Sequence, residues 1–282
     1  MKVSVVCPVY NGVKYIEECV TSVLKQTYTD YEFLIVDDCS TDGTWEKLQS
    51  LAKNNSQIRL IRNKQHDYIA TLNMCLDESK GEYIARMDSD DIMAPERLEK
   101  QVHFMDANKD ITVCCSWMNA VGTERSAHRV IAGLVRTPYL RFLIGDYVAN
   151  PTTIIRRSFV EQYRMQYDEK YIYAEDYKFW VDVAKQGGQF YVMPECLTNY
   201  RWHGNQVSRV HASEQASTTL SIQNEILNDM LERYNSVIPK IQWLFQQLAL
   251  LNEGNLLSAG TIFRLAYEII ENRLRLDKNS YI

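Results

Sequence analysis

The feature that most limits how this chain can fold is the repeated switch, over roughly its first hundred residues, between short β-rich runs and helical apolar periodicity. Lys2 to Val9 is a β-rich run ended by Pro8 and the turn-forming Asn11-Gly12, after which Tyr15, Ile16, Cys19, Val20, Val23 and Leu24 share one helical face. Glu32 to Val36 is a second apolar run, stopped by Asp37-Asp38 and followed by Ser40-Thr41-Asp42-Gly43 and a helix through Trp45, Leu48 and Leu51. Ile58 to Ile61 is a third strand, before a helix marked by Ile69, Leu72 and Leu76; Tyr83 to Met87 is a fourth and runs into Asp88-Ser89-Asp90-Asp91. Pro95 is expected to open the next helix at its first turn, where a missing N–H costs nothing. Strands separated by helices in this way predict an α/β fold with a mostly parallel central sheet built from right-handed crossovers.

Beyond residue 110 the pattern loosens. Ile111 to Val121 reads as a strand, Asn150 to Arg156 as a loop entering a strand, and Phe190 to Met193 and Cys196 to Trp202 as two short strands. Glu175-Asp176 begins a helix with Phe179, Trp180, Val183 and Ala184 on one face, closed by Gly187-Gly188. From Ser213 on only helical periodicity remains, which divides the chain into a 1–212 domain and a 213–282 helical C-terminal extension.

Thirty-six acids against 31 bases, a net charge of −5, make nonspecific grip on a nucleic-acid backbone a poor reading. The seven cysteines lack CxxC spacing, and most sit in apolar runs such as Val5-Val6-Cys7 and Val113-Cys114-Cys115, as reduced core thiols of a cytosolic protein would. Met1 leads straight into a strand pattern with no signal-peptide character, and no apolar stretch reaches the roughly 18–20 residues that span a bilayer. The expected location is cytoplasmic, or peripheral on the inner face of the membrane. The sequon Asn54-Asn55-Ser56 is read as chance for the same reason.

In an open parallel sheet ligands bind beyond the carboxyl ends of the strands, and three of the four early strands end in polar residues suited to that. Neither GxGxxG nor GxxxxGK[ST] occurs, so no glycine-rich backbone cradle holds phosphates. The option left is a hard cation, Mg²⁺ or Mn²⁺, taken by carboxylates together with substrate phosphate and water. Helix capping accounts for one or two acids of Asp88 to Asp91, but not for three directly after an apolar strand. Asp38, Ser40, Asp42 and Gly43 imitate the start of a calcium loop, yet its twelfth position is Gln49 instead of a bidentate Glu; Ser40 and Asp42 read as turn and helix caps.

Taken in order, Pro8-Val9-Tyr10-Asn11, Val36-Asp37-Asp38, Gly81 to Asp91 and Pro95-Glu96-Arg97-Leu98 resemble the family 2 inverting glycosyltransferases. The likeness continues with Tyr173-Ala174-Glu175-Asp176-Tyr177 and Tyr200-Arg201-Trp202-His203, and fades after about residue 210. It implies a GT-A fold, a nucleotide-sugar donor, UDP-linked by expectation, and a saccharide or lipid-linked saccharide acceptor in surface-glycan assembly. Residue by residue, it implies that Tyr10 flanks the base in a pocket shaped by Pro8 and Asn11, and that Asp38 accepts from the base imide. Asp88 would contact ribose or its phosphate, Asp90 would hold the metal, and His203 is a further candidate metal contact. Arg86 would steady the carboxylates or the donor, Asp91 would support the loop, and Asp176 would be the general base. On spacing alone Glu175-Asp176 reads as the acidic first turn of a helix; only the resemblance selects Asp176. The processive members' QxxRW motif would need Gln where Thr198 stands, so one sugar per encounter is expected.

Two alternatives of other classes are a sugar-phosphate nucleotidyltransferase, which would want a glycine-rich, lysine-containing loop where Tyr10-Asn11-Gly12 stands, and an inactive nucleotide-sugar-binding module. The specificity loops are expected between Arg129 and Asn150. In the C-terminal helices Ile262, Leu265, Ala266, Ile269 and Ile270 form an apolar stripe with Arg264, Arg273 and Arg275 nearby. Such a face suits an anionic membrane, packing on the rest of the chain, or a homodimer.

Overall fold

The runs Val3–Val9 and Tyr31–Asp37 show none of the alternation of a strand with one wet face, and the computed structural model shows why: both are buried at every position. Strands covered on both faces belong to parallel sheets sandwiched by helices. The structure describes residues 1–122, 127–204, 206–234, 241–253 and 257–279. The first part runs β1 (Val3–Val9), α1 (Ile16–Leu24), β2 (Tyr31–Asp37), α2 (Thr44–Ala52), β3 (Ile58–Arg62), α3 (Tyr68–Asp77), β4 (Tyr83–Arg86), β5 (Ile92–Met93) and α4 (Arg97–Ala107). It continues with β6 (Val113–Gly122), β7 (Ala127–His128), β8 (Gly133–Leu134), α5 (Pro138–Phe142), β9 (Ile154–Arg156), α6 (Arg157–Tyr163), α7 (Glu175–Lys185) and β10 (Phe190–Trp202). Helices α8 (Val207–Val210), α9 (Ala212–Tyr234), α10 (Ile241–Glu253) and α11 (Ala259–Asn279) complete it.

One sheet runs in the order β3-β2-β1-β4-β9-β6-β10-β5, with β7 on β6 and β8 on β10. Pairs β1–β2, β2–β3, β1–β4 and β6–β10 are parallel; the short β9 is antiparallel to both β4 and β6 and so joins two parallel groups. Strand order reverses at β1, between β2 and β4, which opens a crevice at the carboxyl ends of these three strands. The fold is therefore the expected mostly parallel α/β sheet with flanking helices. Gly81 lets the turn before β4 lie against β1, since a Cβ there would sit 2.4 Å from Ser4 N.

Two local readings change. Helix α4 begins at Arg97, two residues after Pro95, because the Pro95 carbonyl accepts Thr27 N (2.9 Å) and the helical ladder starts with Lys100 N to Glu96 O (3.0 Å). The stretches Phe190 to Met193 and Cys196 to Trp202 are one strand, β10, whose register against β6 slips between Met193 and Cys196 and again before Thr198. Pro194 has no N–H to give, so the ladder bulges there without ending.

The chain divides into two compact units, Met1–Val135 with Val148–Ala212, and Arg136–Tyr147 with Ser213–Ile282. Part of the Arg129–Asn150 segment thus belongs with the C-terminal helices. In the second unit α11 packs on α5 and α10, the Arg141 guanidinium lies 5.7 Å from the Tyr267 ring centre, and Gln223 Nε2 donates to Leu143 O (3.1 Å). The buried face of α11 is Ile262, Phe263, Ala266, Tyr267 and Ile270, while Leu265 is exposed, so the stripe is rotated from the one read in the sequence. The Arg275 side chain lies outside the described residues. Among the described residues no helix is long and apolar enough to cross a membrane.

Candidate active site

The crevice beyond β1, β2 and β4 gathers most of the residues singled out in the sequence. At the end of β1 the chain turns outward, leaving Tyr10 exposed and putting Asn11 in the left-handed region (φ 50°). Asn11 Oδ1 accepts Thr41 N (2.9 Å) and its own N–H donates to Ser40 Oγ (2.9 Å), which fastens this turn to the one after β2. Asp42 is a cap, accepting Thr44 N (3.0 Å) and Val13 N (3.1 Å).

Asp38, just past β2, is fully buried. Its Oδ1 accepts Asp67 N (2.8 Å) and Asn63 Nδ2 (3.2 Å), and its Oδ2 lies 2.8 Å from His66 Nδ1. The His66 ring stacks on Tyr10, with centres 3.9 Å apart.

Beyond β4, Arg86 reaches forward to Asp88 Oδ1 (2.7 Å) and also donates to the Met87 carbonyl. Burial opposes the Arg86 charge, but Asp88 outweighs it and holds the guanidinium firmly protonated. Burial raises the Asp88 carboxyl, Arg86 opposes the rise, and Asp90 adds to it. Asp90 Oδ2 lies 2.9 Å from His203 Nε2, beyond the end of β10. Asp91 turns inward, fully buried, and accepts Arg201 N through Oδ1 (2.8 Å); burial and the two neighbouring aspartates push its carboxyl well up.

Asp176 comes from elsewhere in the chain. Tyr173, in the left-handed region at φ 68°, turns the backbone into α7, whose first two residues are Glu175 and Asp176. Glu175 is buried, with no hydrogen bond to Oε2; burial first, and then Asp176, holds its carboxyl up at about 7. Asp176 is only half-buried and accepts Tyr177 N (2.7 Å). Burial raises its carboxyl, Asp88 raises it further and Arg86 opposes. Asp90 thus acts on the charge of Asp88, and Asp88 on that of Asp176, which couples the three carboxylates electrostatically.

A family description, Glycosyl transferase family 2, matches residues 4–172. The chain belongs to glycosyl transferase family 2. It is 34% identical over 243 residues to an uncharacterized glycosyltransferase of Haemophilus influenzae, covering 82% of this chain and 75% of that one. It is 31% identical to the putative teichuronic acid biosynthesis glycosyltransferase TuaG of Bacillus subtilis, over 88% of this chain and 94% of that protein. The Escherichia coli enzyme WfaP, a UDP-Glc:alpha-D-GlcNAc-diphosphoundecaprenol beta-1,3-glucosyltransferase, is 33% identical over 73% of this chain and 79% of its own. Among solved structures, S. aureus TarS 1–349 in complex with UDP-GlcNAc aligns with a TM-score of 0.62 at 21% identity, over 98% of this chain and 92% of that one. The mannosyltransferase PcManGT of Pyrobaculum calidifontis, in complex with GDP-Man and Mn2+, aligns at 0.55 and 15%, over 95% and 86%. These likenesses show a GT-A fold.

Within this family 2 enzyme, four side chains around the crevice, Tyr15, Arg201, His66 and Arg97, were not assigned a role from the sequence. Tyr15 stacks on His203 (5.1 Å between centres) and carries the Arg201 guanidinium on its ring (4.8 Å). Arg201 also donates through Nε to the Asp90 carbonyl (2.8 Å) and pairs with Glu18, so one side chain braces the acidic loop from β10. His66 lies in a loop with no periodicity, and no signal in the sequence could have found it. Buried Arg97 spans the floor, donating to the carbonyls of Pro151 (2.6 Å), Arg86 (2.9 Å) and Thr153 (3.1 Å) and to Thr198 Oγ1 (3.2 Å). Thr198, where the processive pattern would have Gln, faces this guanidinium in the core.

Proposed function

We propose that this enzyme transfers a sugar from a UDP-linked donor to a hydroxyl of a saccharide or lipid-linked saccharide, with inversion and with Mg²⁺ or Mn²⁺. The observation that supports the reading most is the paired acids after β4, Asp88 on Arg86 (2.7 Å) and Asp90 on His203 (2.9 Å), with the Asp88 charge acting on Asp176. Inversion by single displacement needs one base for the acceptor and one charge-stabilising group for the leaving diphosphate. Asp176 suits the base: it is the accessible member of the Glu175-Asp176 pair, and the α7 N-terminus together with the Tyr177 N–H favours its ionised form. A β linkage formed from UDP-Glc, as recorded in the name of WfaP, is what inversion of an α-linked donor yields.

The residues fit a cation. Asp90 and His203 present an oxygen and a nitrogen 2.9 Å apart, and among the described residues no set of three or more His, Cys, Asp or Glu is arranged to hold a metal ion. Two protein donors leave the remaining positions to diphosphate oxygens and water, the arrangement that suits Mg²⁺ or Mn²⁺. When bound, the cation would neutralise charge developing on the leaving nucleoside diphosphate. Arg86 holds Asp88 toward ribose or phosphate, while Tyr10, Pro8, Asn11 and Asp38 form the base pocket. The catalytic domain is taken as 1–212 and the helical extension as 213–282. Transfer is one sugar per encounter, on the cytoplasmic side and without nucleic acid. The exposed Trp243, Leu244 and Leu250 of α10 support contact of the extension with a membrane surface or a second copy of the chain.

The test is UDP release from a panel of UDP-sugars with Mn²⁺ and candidate acceptors, with NMR assignment of the product anomer. Asp90→Ala is expected to abolish turnover and weaken metal-dependent UDP binding; Asp176→Asn is expected to abolish turnover and leave UDP binding intact. Retention of configuration, or full activity in Asp176→Asn, would refute the mechanism. Tight UDP–metal binding with no turnover on any acceptor would mark a binding module.

A further inference from the structure

Tyr10 and Asp38, the pair assigned to the nucleobase, already share a partner within the chain. The His66 imidazole lies on the Tyr10 ring at 3.9 Å with planes 20° apart, and its Nδ1 is 2.8 Å from Asp38 Oδ2. A uracil ring bound by the same pair would present the same two features, a flat face for the phenol ring and an in-plane N–H for the carboxylate. Stacked rings at this spacing leave no room for a third between them. Imidazole and base cannot both use that face of Tyr10 and that oxygen of Asp38. We propose that His66 is a gate in the nucleobase slot: its side chain occupies the place of the base and must turn out for the donor to bind. The proposal rests on the nucleobase role given above to Tyr10 and Asp38.

Three further observations support it. The His66 side chain is 53% exposed while that of Asp38 is 0% exposed, so the imidazole is the cover over an otherwise sealed carboxylate and can leave into solvent without opening the core. The backbone on either side of His66 is tied down independently of the ring. Asn63 N donates to Asp37 O (2.8 Å), and Asp67 N donates to Asp38 Oδ1 while the Asp67 side chain caps α3 through Ala70 N (2.9 Å). The motion required is thus a side-chain rotation within a fixed loop. Finally, although Nδ1 is close to Asp38 Oδ2, that oxygen has no well-aligned hydrogen bond. A base N–H directed along the carboxylate plane would replace a poorly aligned contact with a good one, and this makes the exchange favourable.

A slot filled part of the time lowers apparent affinity by the fraction of time it is open. Calorimetric titration of the full chain with UDP and Mn²⁺ tests this in wild type, His66→Ala, Asp38→Asn and Tyr10→Ala. His66→Ala is expected to bind UDP about three- to tenfold more tightly, as removal of a mostly closed gate requires. Asp38→Asn and Tyr10→Ala are expected to bind more weakly. In wild type the His66 Hε1 resonance should be shifted upfield by the Tyr10 ring and should return toward the position of an exposed histidine at saturating UDP. Unchanged or weaker binding by His66→Ala, with Asp38→Asn weakened, overturns the gate and leaves the base pocket standing; so does an upfield shift that survives UDP. If neither Asp38→Asn nor Tyr10→Ala alters UDP affinity, the base pocket is misplaced and the gate falls with it.

Discussion

Replacing Glu175 by Gln should make the protein more stable at pH 8 and not at pH 4.5. Glu175 is buried at the start of α7, one of its oxygens is unpaired, and Asp176 is its neighbour. Burial, followed by the Asp176 charge, raises its carboxyl from the ordinary 4.5 to about 7. The folded protein therefore binds this proton more tightly than the unfolded chain does. The associated stability is fully present below 4.5 and is lost as pH rises through about 7. At about 1.4 kcal/mol per pH unit, the difference between pH 4.5 and pH 8 is about 3 kcal/mol. Gln has the same shape and no charge to desolvate, so most of that loss should be recovered at pH 8, less about 1 kcal/mol for an amide hydrogen left without a partner. Urea unfolding followed by circular dichroism at the two pH values reads the effect as a midpoint shift. If the variant gained the same amount at both pH values, or nothing at pH 8, the inference of a strained buried carboxylate at the helix start would be wrong.

The other predictions concern the crevice and the sheet beneath it. Under the proposed base role Asp176 works ionised, and burial raises its carboxyl, so the acid limb of kcat should lie above the ordinary aspartate value of 3.8, as a pH–rate profile would show. Arg97→Met should cost about 3–5 kcal/mol, since several buried carbonyls lose their donor at once; a thermal melt would measure it. Arg201→Lys keeps the charge but loses the planar stack on Tyr15. It should lower kcat/KM about tenfold in the UDP-release assay with an unaltered melt, because an ammonium cannot brace the Asp90 carbonyl and the ring together. Gly81→Ala should be destabilised by several kcal/mol, about 3 or more, because the new methyl would meet β1 backbone, and chemical denaturation would report it.

Much of the fold was legible because local signals and tertiary environment agree in the first half of the chain. The fully apolar β1 and β2, the stripe Ile16, Cys19, Val20 and Val23 of α1, and the acids after β4 each follow from period and punctuation alone. Agreement fails where a non-local partner decides. Pro95 does not start α4 because Thr27, distant in sequence, takes its carbonyl. The β10 strand runs through Pro194 because β6 continues beside it. Helix α11 packs on α5 and α10 and buries Phe263 and Tyr267, with Arg141 of α5 on the Tyr267 ring, while Leu265 stays exposed.

By itself the sequence determined that this is an α/β chain with carboxylates at strand ends, since strand, helix and turn are set by hydrophobic period and backbone chemistry within a few residues. Only the tertiary structure decided which carboxylates work together. Asp88 acts on the charge of Asp176 across a long stretch of chain, Asp91 turns into the core while Asp90 faces His203, and Asp38 lies sealed behind His66. Charge interaction and desolvation act through space and depend on burial, and neither separation nor burial is encoded in the order of residues until the sheet has brought their ends together.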